Sequence, residues 1–322
     1  MEPFGLKATG LALTIASALA ARAVKRKSLT TAGAAAAFGV GFGSVVTGLR
    51  GFNLLVFYQV GTTATKYKKQ LKATKDGTFA SSATRGVSQV LSCSILAVFL
   101  SLLHAYACGA EEPIHFEDDK SQWLSSSSLT CAIFAHHACC LADTLASELG
   151  ILAETSPRLI TQPWRKVPPG TNGGVTAWGT ICSGLGGAII GCSYVLMDWL
   201  SGNLTSSPSS SSVSLTVVSK YLIYGTLCGL IGSMIDSILG ATLQETYFDE
   251  DKKLILHAES ISEQQATASK MMKPSNKQER QQGGGGLKWI CGFNILNNEQ
   301  VNLVSVALTT CLGGWVLGPL VF

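Results

Sequence analysis

Charge is what this sequence has least of. Of its 322 residues only 14% are Asp, Glu, Lys or Arg, against about 25% in ordinary soluble domains. With 47% hydrophobic residues and a mean hydropathy of +0.31, the chain reads as a polytopic membrane protein rather than a soluble domain. The formal net charge of +4 is small and no basic stripe is interleaved with aromatics, which excludes a nucleic-acid partner. The ten cysteines contain no Cys-x-x-Cys pair, and Cys139 and Cys140 are adjacent. They read as small core residues, not as a disulfide framework or a zinc site. Also missing are a Gly-x-x-x-x-Gly-Lys-Ser/Thr phosphate loop and any Ser, His and acid arrangement that argues for a hydrolase.

Apolar runs are plentiful instead. They cover residues 5–24, 30–48, 51–64, 86–107, 127–149, 174–199, 215–240 and 300–322. The reading is an all-α bundle of about eight transmembrane helices, with residues 1–322 forming a single transmembrane domain. The third run is short: its length corresponds to only about 21 Å of helix. Lys and Arg gather in the linker 66–85 and the loop 150–173, with a mixed loop at 242–299. The stretch 108–126 is acidic and 201–214 is Ser-rich and uncharged. Positive charge is retained on the cytoplasmic side, so the three Lys/Arg-bearing loops are expected to be cytoplasmic, with both termini on the other side. Arg50, on an outer turn, is the exception. Residues 258–286 read as flexible. No Ser/Arg-rich leader is present, which points to an endomembrane or plasma membrane rather than a plastid.

Three acids stand inside or at the edge of apolar runs: Asp143, Glu148 and Asp236. An ionisable group at membrane depth costs roughly 2.5–3.5 kcal/mol on insertion scales, so such a group is a functional-site candidate. Asp143 and Glu148 lie five residues apart and do not share a face of a straight helix. Gly232 and Gly240 flank Asp236 at four-residue spacing, and Ser183, Gly187 and Gly191 repeat the device one run earlier. Both are packing seams that allow close helix approach. Together the three acids are candidate Mg²⁺ ligands, since Mg²⁺ takes oxygen donors from one or two carboxylates plus phosphate and water.

The segment Pro168-Pro169-Gly170-Thr171-Asn172-Gly173-Gly174 is a candidate phosphate loop. Its prolines fix φ, its glycines admit φ > 0, and Thr171 and Asn172 add donors. Lys66 and Arg158 are candidate phosphate cations. His136 and His137 are adjacent and lack metal-ligand spacing, so they read as packing residues. Asn298, in the polar entry to the last run, is a candidate ligand-binding amide.

Six ordered motifs carry a family resemblance: GTTATKYKKQLKA (61–73), ADTLASELG (142–150), PRLIT (157–161), VPPGTNGGVTAWGT (167–180), GSMIDSILGATLQ (232–244) and NILNNEQVNLVS (294–305). They resemble the transmembrane protein 19 family, an integral membrane family of eukaryotes, archaea and bacteria, over nearly the whole chain. One plant branch of that family is a phytyl-phosphate kinase and another is described as a plasma-membrane glucose-responsive regulator. ADTLASELG is also similar to a short motif of CTP-using phytol and dolichol kinases. The resemblance implies a kinase that moves a phosphoryl group from CTP or ATP to a membrane isoprenoid monophosphate. Such an enzyme would have a lipid substrate, a nucleotide co-substrate and Mg²⁺. Asp143, Glu148 and Asp236 would serve catalysis, and Lys66, Arg158, residues 169–174 and Asn298 the phosphates. A non-catalytic membrane regulator and a small-molecule transporter are the alternatives.

Overall fold

A computed structural model describes residues 1–76, 86–116, 123–204, 214–257 and 287–322. The expected flexible stretch 258–286, and the middles of the acidic and Ser-rich stretches (117–122 and 205–213), lie outside the described residues. Helix dominates, as an all-α membrane bundle requires: inside hydrocarbon each backbone N–H and C=O must be satisfied within its own segment.

The chain begins with α1 (Leu6–Lys25) and α2 (Thr31–Val45), which pack as a hairpin. A 3₁₀ turn over Leu49–Phe52 leads into α3 (Asn53–Lys66), and α4 (Lys69–Ala73) follows. The run expected as one span over 86–107 is broken into α5 (Val87–Ser92) and α6 (Ile95–Ala107). Its sequence at the break is Ser92-Cys93-Ser94. The Ser94 hydroxyl donates to the Val90 carbonyl at 2.5 Å, and the Ser92 hydroxyl to that of Gln89 at 3.3 Å. Such local bonds compete with the helical ladder.

Three long helices then form the centre: α7 (Ser126–Gly150), α8 (Ala177–Ser201) and α9 (Leu215–Leu243). A last helix, α10 (Asn298–Leu312), continues through a π turn over Gly313–Leu317 into α11 (Gly318–Val321). Five described stretches are long and apolar enough to cross a membrane: α1, α7, α8, α9 and α10 with its extension. α2 and α6 are shorter apolar helices, and α3 has 14 residues, about 21 Å against a hydrocarbon core of about 30 Å.

α7 is the axis. Every residue from Ser127 to Ala142 is buried, sheathed by α3, α6, α8, α9 and α10. Its apolar and small residues run right round the helix, the pattern of an element surrounded by protein. The expected glycine seams are present. A side chain at Gly187 of α8 would run into the Gly225 carbonyl of α9, and Gly232 of α9 faces the Cys139 side chain of α7. Small residues at these points let the helices pack closely without a hydrophobic driving force.

The loops 150–173 and 242–299 hold structure not read from the sequence. In the first, β1 (Arg158–Leu159) pairs antiparallel with β2 (Gln162–Lys166) and β3 (Gly174–Val175). In the second, β4 (Thr246–Asp249) pairs with β5 (Leu254–His257) and β6 (Leu287–Cys291). Both sheets cap the same end of the bundle, and Asp76 bridges to Ile255 of β5. The described parts of the linker 66–85 and of the loops 150–173 and 242–299 thus meet at one end.

Candidate functional site

The loop 168–174 turns back into the bundle at this end. Gly170 and Gly173 have φ of +91° and +70°, so the glycines are used as expected. At Gly173 a side chain would also meet the Ser237 carbonyl and Ala241 of α9. The Thr171 hydroxyl donates to the Pro168 carbonyl at 2.7 Å and holds the turn closed. Among the described residues, the backbone N–H groups of Gly170, Asn172 and Gly173 donate to no protein acceptor. Three such groups in one tight turn can meet an anion.

Pro169 through Gly174 line a chamber of about 840 Å³, together with Asp143, Glu148, Asp236 and Asn298. The first turn of α8, capped by the Thr176 side chain on the Gly179 N–H at 3.0 Å, reaches it as well. So does the start of α10, where Asn297 and Gln300 form a reciprocal capping box. Two helix N-termini therefore add partial positive charge, roughly half a unit each. The far wall is apolar and comes from Ile15, Leu19, Val40, Leu54, Leu55 and Phe57 of α1, α2 and α3.

The acids divide differently from the expected triad. Asp143 and Asp236 are close enough to interact electrostatically, and Ser305 of α10 donates to Asp236 at 2.9 Å. Glu148 instead accepts from the Lys72 ammonium at 2.6 Å, and that ammonium also donates to the Ala64 carbonyl at 2.7 Å. Lys72 is fully buried, and its pair with Glu148 straps α4 to the end of α7. Among the described residues no three His, Cys, Asp or Glu side chains form a metal-ligating group. All three acids line the chamber, but Glu148 is paired with Lys72 while Asp143 and Asp236 lie near each other.

The two expected phosphate cations lie outside this lining. Lys66 is exposed at the end of α3, and the exposed Arg158 spends its Nη1 on the Pro163 carbonyl at 2.7 Å within its own hairpin. Neither lines the chamber. Its described lining holds six carboxylates, Asp76, Asp143, Glu148, Asp236, Glu245 and Glu299, and no lysine or arginine. At the mouth, Asn172 Nδ2 lies 3.0 Å from His257 Nδ1, and His257 Nε2 lies 3.8 Å from Asp76. His136 and His137 are buried in α7, their rings edge to face at 5.4 Å, away from the chamber.

The far end of the bundle explains Arg50. Its guanidinium grips Asp198 of α8 at 2.7 and 3.0 Å and donates to Thr130 at 3.0 Å and the Glu112 carbonyl at 2.6 Å. Tyr221 of α9 adds a 2.6 Å bond to the same carboxylate. Glu111 accepts the N–H groups of Leu49 and Arg50 at 3.0 and 2.7 Å. Burial pushes the Glu111 carboxyl up against the opposing pull of Arg50. Asp198 escaped the sequence reading although VLMDWL (195–200) is the same signal as Asp236, a lone acid in an apolar run. Lys72 was one lysine among several.

The profile of the family described as integral membrane protein DUF92 matches residues 14–310. Protein PGR of Arabidopsis thaliana is 32% identical over 302 residues, 94% of this chain and 93% of the relative. An uncharacterized membrane protein of Methanocaldococcus jannaschii is 34% identical over 108 residues, 33% of this chain and 37% of that protein. No solved structure matches the chain.

Proposed function

Since the chain belongs to the DUF92 family of integral membrane proteins, we propose that it is an Mg²⁺-dependent lipid-phosphate kinase of that family. In this reading it transfers a phosphoryl group from CTP or ATP to a membrane isoprenoid monophosphate. One observation carries the reading. A single chamber joins apolar residues from three helices to two neighbouring carboxylates, unpaired loop N–H groups and two helix N-termini. That is the shape of a site for an amphiphile with an anionic head.

The charge balance supports a metal. Six carboxylates line the chamber, and Lys72, which pairs with one of them, is already engaged by Glu148 and by backbone carbonyls, so a phosphate entering there calls for an added cation. Asp143 and Asp236 would hold Mg²⁺, which commonly uses one or two carboxylates and fills its remaining positions with phosphate and water. The bound ion would neutralise charge on the transferring group. The chain's own part is positioning. The N–H groups of Gly170, Asn172 and Gly173 would hold the phosphates, and the α1–α3 wall would hold the chain. Ser305 would fix Asp236. Phosphoryl transfer needs little beyond such placement and charge stabilisation. A phosphate acceptor is already ionised and requires no base. The Lys/Arg-bearing end, where nucleotide would arrive, is cytoplasmic in this reading, in an endomembrane or the plasma membrane.

The test is a kinase assay on purified protein in detergent. Phytyl, farnesyl and geranylgeranyl monophosphates are offered with CTP or ATP and Mg²⁺, beside Asp143→Asn. Diphosphate product from wild type, lost in the variant and on chelation of Mg²⁺, supports the kinase. A folded protein that makes no product and binds no nucleotide refutes it and leaves the regulator or transporter reading.

A further inference from the structure

Cys93 occupies the break between α5 and α6, outside regular helix, with φ −98° and ψ 4°. Of the ten cysteines it is the one whose side chain lines the chamber. Cys140 stands on α7, 4% exposed, one turn before Asp143. Its thiol donates to the Cys93 carbonyl oxygen at 3.6 Å, and the Cys93 side chain packs against the cluster of Cys139, Cys140 and Val306. The neighbouring Cys139 points elsewhere, toward Gly232 of α9.

We propose that Cys93 and Cys140 form an oxidation site, converted by a peroxide into a disulfide that ties the α5–α6 break to α7 beside Asp143. The first step is attack of the Cys93 sulfur on a peroxide oxygen. The O–O bond breaks, a sulfenic acid forms, and the Cys93 proton leaves in water. Cys140 then attacks that sulfur, the S–O bond breaks, and the hydroxyl departs with the Cys140 proton as a second water. Two thiols and one hydrogen peroxide give one disulfide and two waters, the two electrons passing to the peroxide. Exposure sets the order: Cys93 is half-buried and lines the chamber, while Cys140 is buried and does not. The break supplies the freedom to reach disulfide geometry, which a pair fixed in two regular helices lacks. In a reducing compartment such bonds are characteristically transient and sensing rather than structural. The chamber wall next to Asp143 is therefore flexible when reduced and tethered when oxidised. This inference stands whether or not the protein is a kinase.

The full chain in detergent is reduced, exposed to hydrogen peroxide, quenched, unfolded and alkylated with N-ethylmaleimide. Intact mass is expected to count ten adducts before peroxide, eight after, and ten again after dithiothreitol. Peptide mapping should join the Cys93 peptide to the one carrying Cys139 and Cys140. Cys139→Ser should keep the linkage, whereas Cys93→Ser and Cys140→Ser should each lose it. Cys93→Ser, at a half-buried position outside regular helix, tests the pair even if Cys140→Ser fails to fold. Ten adducts after peroxide, or a disulfide that omits Cys93, would overturn the proposal.

Discussion

Replacing Asp198 by leucine would leave the Arg50 guanidinium buried, 5% exposed, with no carboxylate to face. The wild-type pair is held at 2.7 Å and 3.0 Å, with Tyr221 on the same carboxylate. Removing one partner of a buried pair costs about 3–5 kcal/mol, because the remaining charge keeps its desolvation penalty. At about 2 °C per kcal/mol for a chain of this size, the unfolding midpoint should fall by roughly 6–10 °C. The assay is thermal unfolding in detergent, run as a double-mutant cycle with Arg50→Met. Apolar replacement of both partners is often close to neutral, so the double variant should recover most of the loss. Ligand binding at the chamber, at the opposite end of the bundle, should be unchanged well below the midpoint. The reasoning fails if Asp198→Leu unfolds within a degree of wild type. It fails equally if the double variant shows the sum of the single losses.

Gly187→Ala would place a methyl group against the Gly225 carbonyl and push α8 from α9. A loss of about 1–3 kcal/mol is expected, read as a lower unfolding midpoint. Gly173→Ala adds left-handed strain of roughly 1–2 kcal/mol at φ +70° and a clash with the Ser237 carbonyl. It should therefore weaken phosphate binding in isothermal titration as well as stability. Asp249 accepts N–H groups from Lys252 and Asp251 at 2.9 and 3.0 Å, which hold its carboxyl below the ordinary Asp value. A depressed folded value contributes stability above the ordinary pKa of about 3.9, lost as pH falls through the folded value. Asp249→Ala should thus speed amide exchange in the β4–β5 hairpin at neutral pH, and the difference from wild type should shrink below about pH 4.

Residue types along the chain determined the class and most of the helix positions. Low charge and long apolar runs leave few other solutions, and the bilayer forces each run to satisfy its own backbone. The Pro-Gly loop and its φ > 0 glycines were legible for the same local reason, as were the glycine seams. Asp143 and Asp236 were found because an acid in an apolar run is costly and conspicuous. Partnership was not legible. That Glu148 pairs with Lys72, 76 positions earlier in the chain, could not be read from the sequence. Arg50 looked like a misplaced charge until Asp198, 148 positions on, accounted for it. Lys66 and Arg158 carry the right charge but are exposed and do not line the chamber. Nor does apolar sequence tell a helix in lipid from one in protein: α1 and α7 are both apolar, yet α7 is the one sheathed on every side. Strand pairing in the loops 150–173 and 242–299 joins segments that are apart in the chain. Those outcomes rest on which segments meet in space, and only the tertiary structure decides that.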